Sequence, residues 1–158
     1  MKQSIFTQIT HATAETEAIG AALAEQMLAD ETLPPFVALY GDLGVGKTAF
    51  VRGFTSRISP EALVRSPTFA LVNEYRATPR SVFHFDMYRI TDEDDLFSIG
   101  YYDYLNRPGI CLVEWSENIP YALPEQYIRV LIEKSDPTCA DLRTVTVELT
   151  DEAPEGAY

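Results

Sequence analysis

One eight-residue segment limits the possible folds of this chain more than any other feature. Residues 41–48 have the sequence GDLGVGKT, which fits the phosphate-binding pattern G-x-x-x-x-G-K-[ST] at every position. The apolar run 36–40, which follows two prolines, predicts a buried strand just before this loop. The residues from 48 onward predict a helix whose N-terminus faces the anion. A strand, this loop and a helix in that order indicate an α/β nucleotide-binding fold.

The residue types of the loop explain how it would bind phosphate. Glycines allow backbone conformations in which successive N–H groups turn inward around phosphate oxygens. Lys47 is expected to reach the β- and γ-phosphates, and the Thr48 hydroxyl is expected to bind Mg²⁺. The predicted nucleotide-binding residues of this segment are Asp42, Leu43, Gly44, Val45, Gly46, Lys47, Thr48 and Ala49.

Composition and charge narrow the classes of function. With 158 residues, of which 46% are apolar, the chain can bury one core of substantial size. Its 24 acidic residues outnumber its 12 Lys and Arg residues, which gives a formal net charge of −12. Strong binding of nucleic acid needs clustered Lys and Arg against the phosphates. If the function involves a nucleic acid, we therefore expect a partner protein to hold it.

From the sequence we expect neither a zinc site nor a targeting signal. The two cysteines and two histidines do not have zinc-ligand spacing, and Cys111 lies in an apolar run that predicts burial. Residues 1–8 contain no hydrophobic signal core, and no apolar stretch is long enough to span a bilayer. We expect a cytoplasmic protein that does not contact the membrane.

The remaining pattern predicts alternating strands and helices. The predicted strands are 4–9, 36–40, 69–75, 81–86, 110–114, 128–132 and 145–149, and the predicted helices are 14–29, a helix from 48, and 91–105 with Thr91 as N-cap. The strands 69–75 and 81–86 are expected to form a hairpin. These elements predict a single α/β domain at 1–150 with the P-loop NTPase fold, in which helices flank a mixed central sheet. The acidic segment 151–158 is expected to be a loose tail.

Two carboxylates follow predicted strands and could assist the phosphate loop. Glu114 ends an unbroken apolar run, which is typical of a strand buried on both faces. Asp86 ends a run interrupted by His84, which indicates a more peripheral strand. We therefore predict that Glu114 is the Mg²⁺ partner and that Asp86 positions water or senses the γ-phosphate. His84 alone is more typical of a structural histidine than of a catalytic one. Trp115 is expected to pack, and its fluorescence is expected to respond to nucleotide.

Four sequence blocks together resemble one protein family. They are GDLGVGKT followed by FVRG, SPTF at 66–69, HFDMYR at 84–89, and VEW at 113–115. Their order and approximate spacing are similar to those of the TsaE (YjeE) family of small bacterial P-loop ATPases. The resemblance covers roughly residues 10–135.

The resemblance implies roles for individual residues. It implies that ATP is the nucleotide, that Thr48 and Glu114 hold Mg²⁺, and that residues 44–48 cradle the phosphates. Asp86 is then required for activity, so that the expected catalytic set is Lys47, Asp86 and Glu114. Ser66 and Thr68 would lie in a switch-like loop near the γ-phosphate. The nucleotide-binding residues implied outside the phosphate loop are Thr16, Thr68 and Arg143.

The resemblance also implies a biological role. Members of the family work with TsaB, TsaD and TsaC to make N6-threonylcarbamoyladenosine at position 37 of tRNAs that read codons starting with A. TsaD and TsaB are thus the expected partners, and tRNA is expected to be reached only through the complex. ATP hydrolysis is expected to be slow for the protein alone and faster with its partners, because no arginine is obviously placed to act as an arginine finger. Arg65 and Arg89 are the candidates for that role.

Three alternatives remain open on the same loop. A small-molecule kinase would need an arginine-rich lid, and residues 115–120 contain no arginine cluster. A GTP-binding switch would need an N-K-x-D guanine motif, which is absent from the sequence. A non-enzymatic binding module would require that hydrolysis is vestigial.

Overall fold

The computed structural model describes residues 2–42, 44–67 and 70–152, and within these ranges the chain forms seven strands. The strands are β1 (Lys2–Thr10), β2 (Phe36–Tyr40), β3 (Val72–Tyr75), β4 (Ser81–Asp86), β5 (Gly109–Glu114), β6 (Tyr127–Lys134) and β7 (Arg143–Thr150). The helices are α1 (Thr13–Ala29), α2 (Lys47–Ile58), α3 (Glu93–Ser98) and α4 (Tyr101–Leu105), with short 3₁₀ turns at Ser116–Asn118 and Pro120–Ala122.

All seven strands belong to one mixed sheet in the order β1-β7-β6-β2-β5-β4-β3. The four central strands β6, β2, β5 and β4 run parallel, while β3 and the pair β1 and β7 are antiparallel to their neighbours. Parallel strands end at the same edge of a sheet, which is where ligands bind in open α/β folds. The ends of β2, β5 and β4 therefore bring the loop after Tyr40 close to Glu114 and Asp86.

The two faces of the sheet bury two separate apolar cores. Alternate residues of the central strands, such as Val37 and Leu112, face α1 and α2. The intervening residues, such as Ala38 and Val113, pack with Tyr101 and the other apolar residues of α3 and α4. Because β2 and β5 are buried on both faces, their sequences are continuous apolar runs, as the sequence indicated.

Helices α1 and α2 approach each other closely at two glycines. A Cβ atom on Gly53 would lie 1.9 Å from the Glu17 carbonyl oxygen, and one on Gly20 would lie 2.2 Å from the Phe50 carbonyl oxygen. Only glycine permits this backbone approach. The contact fixes α2, and with it the phosphate loop that precedes α2.

We expect Gly53→Ala to lower the free energy of unfolding by about 2 kcal/mol, since the added methyl forces the helices apart. The better helix propensity of alanine, worth roughly 1 kcal/mol, offsets only part of this cost. Urea unfolding measures the change. Ser56→Ala, at an exposed position of α2, is the control and should change stability by less than about 0.5 kcal/mol. Equal stability of Gly53→Ala and wild type would contradict the close approach.

The structure corrects three local predictions. The predicted helix 91–105 is two helices, because Gly100 adopts φ 74° between them. The N-cap is Asp92, whose carboxylate accepts from the Asp95 N–H at 3.0 Å, and not Thr91. The predicted strand 69–75 begins only at Val72, because Leu71 has φ 67°, and Phe69 lies outside the described residues.

The hairpin, the remaining strands and the first helix agree with the sequence predictions within a few residues. At the start of the predicted tail, Glu152 contacts the domain. Its carbonyl oxygen accepts from the Tyr127 hydroxyl at 2.8 Å, and its carboxylate lies 3.6 Å from the Lys2 ammonium. Residues 153–158 lie outside the described residues.

Candidate functional site

The ends of three parallel strands surround a cavity of about 420 Å³. Asp86 and Glu114 are register partners at the ends of β4 and β5, so that their side chains leave the sheet on the same face. The loop after β2 closes the cavity from the other side. The lining residues are Gly44, Gly46, Lys47, Thr48, Ser66, Asp86, Tyr88, Glu114 and Trp115. The predicted catalytic residues Lys47, Asp86 and Glu114 and the predicted metal ligands Thr48 and Glu114 therefore share one site.

The phosphate loop has the backbone that an anion requires. Gly46 is the N-cap of α2 with φ 113° and makes no side-chain cap hydrogen bond to the first N–H groups of the helix. Those N–H groups and the positive end of the helix dipole are thus directed at the cavity. Gly41 has φ 141°, and a Cβ there would lie 2.5 Å from the Ile132 carbonyl oxygen. The described part of the loop therefore fits a phosphate group; Leu43 lies outside the described residues.

Lys47 is held by two contacts inside the site. Its ammonium group donates to the Gly41 carbonyl oxygen at 2.7 Å and lies 4.5 Å from the centre of the Trp115 ring. The residue is only 5% exposed. Lys47 is therefore a buried residue, because its side chain folds back to the first residue of the loop.

Glu114 is paired with a histidine from the neighbouring strand. His84 Nε2 lies 2.6 Å from Glu114 Oε2, and the histidine is fully buried. The main chain of Glu114 is also fixed, since its carbonyl oxygen accepts from the Met87 N–H at 3.0 Å. The hydrogen-bond partner of His84 is thus the predicted metal ligand, while its Nδ1 has no partner among the described residues.

Asp86 is a buried carboxylate with one described bond. Its Oδ1 accepts from the Tyr88 N–H at 2.9 Å, while its own N–H donates to the Leu71 carbonyl oxygen at 3.0 Å. These bonds hold the carboxylate at the cavity that Asp86 lines, and the residue as a whole is 8% exposed. Because β4 lies next to the edge strand β3, the inference that Asp86 ends the more peripheral strand is confirmed.

Trp115 occupies an unfavourable backbone conformation. Its φ of 59° is rare for a large side chain and is the kind of strain that proteins retain at functional sites. The ring lies 5.0 Å from the Tyr88 ring, and both residues line the cavity beside Lys47. Tyr88 was not singled out from the sequence. The sequence feature that could have indicated Tyr88 as a site residue is its position two residues after Asp86 in the HFDMYR block.

A second, smaller cavity of about 100 Å³ lies on the opposite side of the phosphate loop. It brings Thr16 and Arg143 together with Gly44, Gly46 and Ala49. Thr16 is buried and hydrogen-bonds to the Thr10 hydroxyl at 3.1 Å. Arg143 donates through Nε to the Val45 carbonyl oxygen at 3.1 Å. Both residues therefore adjoin the loop, and their contact with the nucleotide stays a prediction.

The other predicted positions differ in their relation to the site. Asp42 lies outside the first cavity and lines a neighbouring one of about 710 Å³ together with Glu117 and Trp115. Burial raises the pKa of Glu117, and the nearby Asp42 carboxylate acts in the same direction. Ser66 reaches the first cavity, whereas Thr68 lies outside the described residues. Neither Arg65 nor Arg89 is among the described lining residues of that cavity.

Thr48 and Glu114 form a donor set that suits magnesium. Mg²⁺ prefers oxygen ligands and is usually held by one or two protein groups together with substrate phosphates. A hydroxyl and a carboxylate line the same cavity as the phosphate loop, and one carboxylate oxygen is already fixed by His84. The residues present therefore fit the metal.

The strand order, the glycine loop at the N-terminus of α2 and the carboxylate at the end of β5 define a protein of the P-loop NTPase fold. A family model described as threonylcarbamoyl adenosine biosynthesis protein TsaE matches residues 10–143. The chain belongs to the TsaE family.

Individual relatives and a solved structure agree with this assignment. The TsaE protein of Haemophilus influenzae is 45% identical over 100 residues, which cover 63% of each chain. That of Bacillus subtilis is 36% identical over 99 residues, covering 63% of this chain and 61% of its own. The matched part thus spans less than two thirds of these relatives. The crystal structure of Bacillus subtilis YdiB superposes with a TM-score of 0.71 at 28% identity, covering 94% of this chain and 86% of that one.

Within residues 2–42, 44–67 and 70–152, no helix combines the length and the apolar character that crossing a bilayer demands.

Proposed function

We propose that this protein binds and hydrolyses Mg-ATP and, coupled to TsaB and TsaD, acts in the formation of N6-threonylcarbamoyladenosine at position 37 of tRNAs that read codons starting with A. The observation that carries the proposal is the meeting of the phosphate loop, Lys47, Asp86 and Glu114 at one cavity. Family membership supports the link to tRNA modification.

The phosphate loop and Lys47 bind the nucleotide in this proposal. The uncapped N–H groups at the start of α2 donate to phosphate oxygens, and the dipole of α2 favours their negative charge. Lys47 leaves the Gly41 carbonyl oxygen and contacts the β- and γ-phosphates, because a phosphate oxygen is a stronger acceptor than a neutral carbonyl. ATP binding is thereby coupled to the release of Lys47 from Gly41 and Trp115.

Thr48 and Glu114 hold the metal, and Asp86 holds the attacking water. When bound, Mg²⁺ neutralises charge on the β- and γ-phosphates. The Thr48 hydroxyl and the Glu114 carboxylate are its protein ligands. Asp86, fixed through Oδ1 by the Tyr88 N–H, accepts a hydrogen bond from the water and orients it toward the γ-phosphate.

A partner protein completes the catalytic charge in this proposal. The residues described as lining the cavity include one cation, Lys47, and no arginine. An arginine supplied in trans accelerates hydrolysis by about 10³–10⁵-fold in related phosphoryl-transfer systems. The net charge of −12 agrees with a protein that reaches tRNA through its partners and not directly. The cytoplasm is the compartment in which these partners and substrates would meet it.

Steady-state ATP hydrolysis, alone and with the purified cognate TsaB–TsaD pair, tests the proposal. We expect slow turnover alone and at least about tenfold faster turnover with the pair, since partner completion of such sites has larger known effects. Lys47→Ala, assayed with the same pair, is the control for contaminating ATPase. Unchanged turnover with intact proteins would overturn the partner-coupled function. ADP release that depended on an added small-molecule acceptor would favour the kinase alternative.

A further inference from the structure

The position of His84 is not explained by packing. It lies on the face of the sheet that α1 and α2 cover, two residues after Val82 in β4 and opposite Leu112 in β5. Its side chain is fully buried. Burial of a polar ring costs free energy unless its nitrogens are hydrogen-bonded. An apolar side chain of similar size would fill the same space at a lower free energy of burial. We therefore expect His84 to have a role other than packing.

The described contacts of the ring point to a single partner. Nε2 lies 2.6 Å from Glu114 Oε2, whereas Nδ1 has no partner among the described residues. Because carboxylate oxygens accept hydrogen bonds, Nε2 carries the hydrogen and donates it. The hydrogen bond to Glu114 is therefore the one described hydrogen bond that orients the ring.

We propose that His84 is the positioning residue that fixes the Glu114 carboxylate for Mg²⁺, an inference that rests on the proposed nucleotide-binding function. A glutamate side chain has three torsions, and the last of them is only weakly restricted. The hydrogen bond from His84 to Oε2 limits that rotation and leaves Oε1 for the metal. Mg²⁺ demands near-octahedral geometry, so a carboxylate fixed in advance binds it better.

His84 also links the two carboxylates of the site. It lies two residues before Asp86 on the same face of β4, while Glu114 is the register partner of Asp86 on β5. The hydrogen bond thus ties β4 to β5 through side chains directly beneath the cavity. A shift of Glu114 relative to Asp86 would break it.

Two variants of His84 separate positioning from packing. His84→Leu has a similar volume without a donor, and His84→Gln has an amide N–H near the place of Nε2. We expect His84→Leu to weaken Mn²⁺ binding to the protein–ADP complex by about 10–100-fold, the usual effect of losing a partner of a metal ligand. His84→Gln should stay within about threefold of wild type, because its amide can still donate to Glu114.

The readout is the concentration of free Mn²⁺, measured by electron paramagnetic resonance during titration of the protein with ADP present. Thr55→Val is the matched control, since Thr55 Oγ1 is likewise buried without a described partner but lies on α2 away from Glu114. It should leave Mn²⁺ binding unchanged. Thermal unfolding of each variant establishes that it is folded, and Leu is expected to be tolerated.

The outcomes distinguish this inference from the proposed function. A wild-type protein that binds no Mn²⁺ with ADP would overturn both. Normal Mn²⁺ binding by wild type and by folded His84→Leu would overturn the positioning role alone. An equal loss in the Leu and Gln variants, with both folded, would also contradict it, because the loss would then not depend on a donor at this place.

Discussion

Replacement of Lys47 by alanine is expected to weaken ATP binding by roughly 10³-fold, which corresponds to about 4 kcal/mol. The ammonium group is expected to make hydrogen bonds to two phosphates, and each bond to a charged group contributes about 1.5–3 kcal/mol. Among the residues described as lining the cavity, Lys47 alone carries a positive charge. No other lining side chain can therefore replace that charge in the variant. Isothermal titration calorimetry with Mg-ATP measures the loss.

The same substitution should change the stability of the ligand-free protein much less. Alanine removes the bond to the Gly41 carbonyl oxygen and the contact with the Trp115 ring, which together stabilise the fold by about 1–3 kcal/mol. A positive charge at a helix N-terminus is unfavourable, and its removal offsets part of that loss. We expect a net decrease of about 1 kcal/mol in the free energy of unfolding.

Lys2→Ala is the control for the loss of a lysine charge. Lys2 lies on β1 and pairs with Glu152 at 3.6 Å, outside the lining of the cavity. The control should bind ATP as wild type does. If Lys47→Ala also bound ATP with wild-type affinity, the assignment of residues 41–48 as the phosphate loop would be refuted.

The sequence was sufficient where local chemistry determines the structure. Residues 36–48 could be assigned because a strand buried on both faces and a glycine loop each have a local signature. Glu114 and Asp86 could be placed together because parallel strands must end at the same edge of the sheet. These inferences need the order of the elements and no knowledge of side-chain packing.

What the sequence could not supply depends on contacts between distant residues. The pairing of His84 with Glu114 joins residues 30 positions apart, and it depends on which face of β4 each side chain occupies. The hydrogen bond from the Lys47 ammonium group to the Gly41 carbonyl oxygen depends on how the loop itself folds. The break at Gly100 was missed because a single glycine in a helical pattern is often tolerated.

Substitution of Glu114 should affect metal binding, and substitution of Asp86 should affect the chemical step. We expect Glu114→Gln to raise the Mg²⁺ concentration for half-maximal ATP hydrolysis by about 10–100-fold, since an amide oxygen is a weaker metal ligand than a carboxylate. Asp86→Asn should lower kcat by roughly 10²-fold, because the water loses the carboxylate that orients it. Its Mg²⁺ requirement should stay within about threefold of wild type. Hydrolysis measured over a Mg²⁺ titration gives both quantities.

Glu114→Ala provides a further check, because the glutamate also satisfies His84. The amide oxygen of Gln can still accept from His84 Nε2, whereas Ala leaves that buried N–H without its partner. We therefore expect Glu114→Ala to lose about 1–3 kcal/mol of stability relative to Glu114→Gln, the cost of an unsatisfied buried donor. Both should share the raised Mg²⁺ requirement. If Asp86→Asn raised the Mg²⁺ requirement more than either Glu114 variant did, the two carboxylates would have the opposite roles, and β4 instead of β5 would supply the metal ligand.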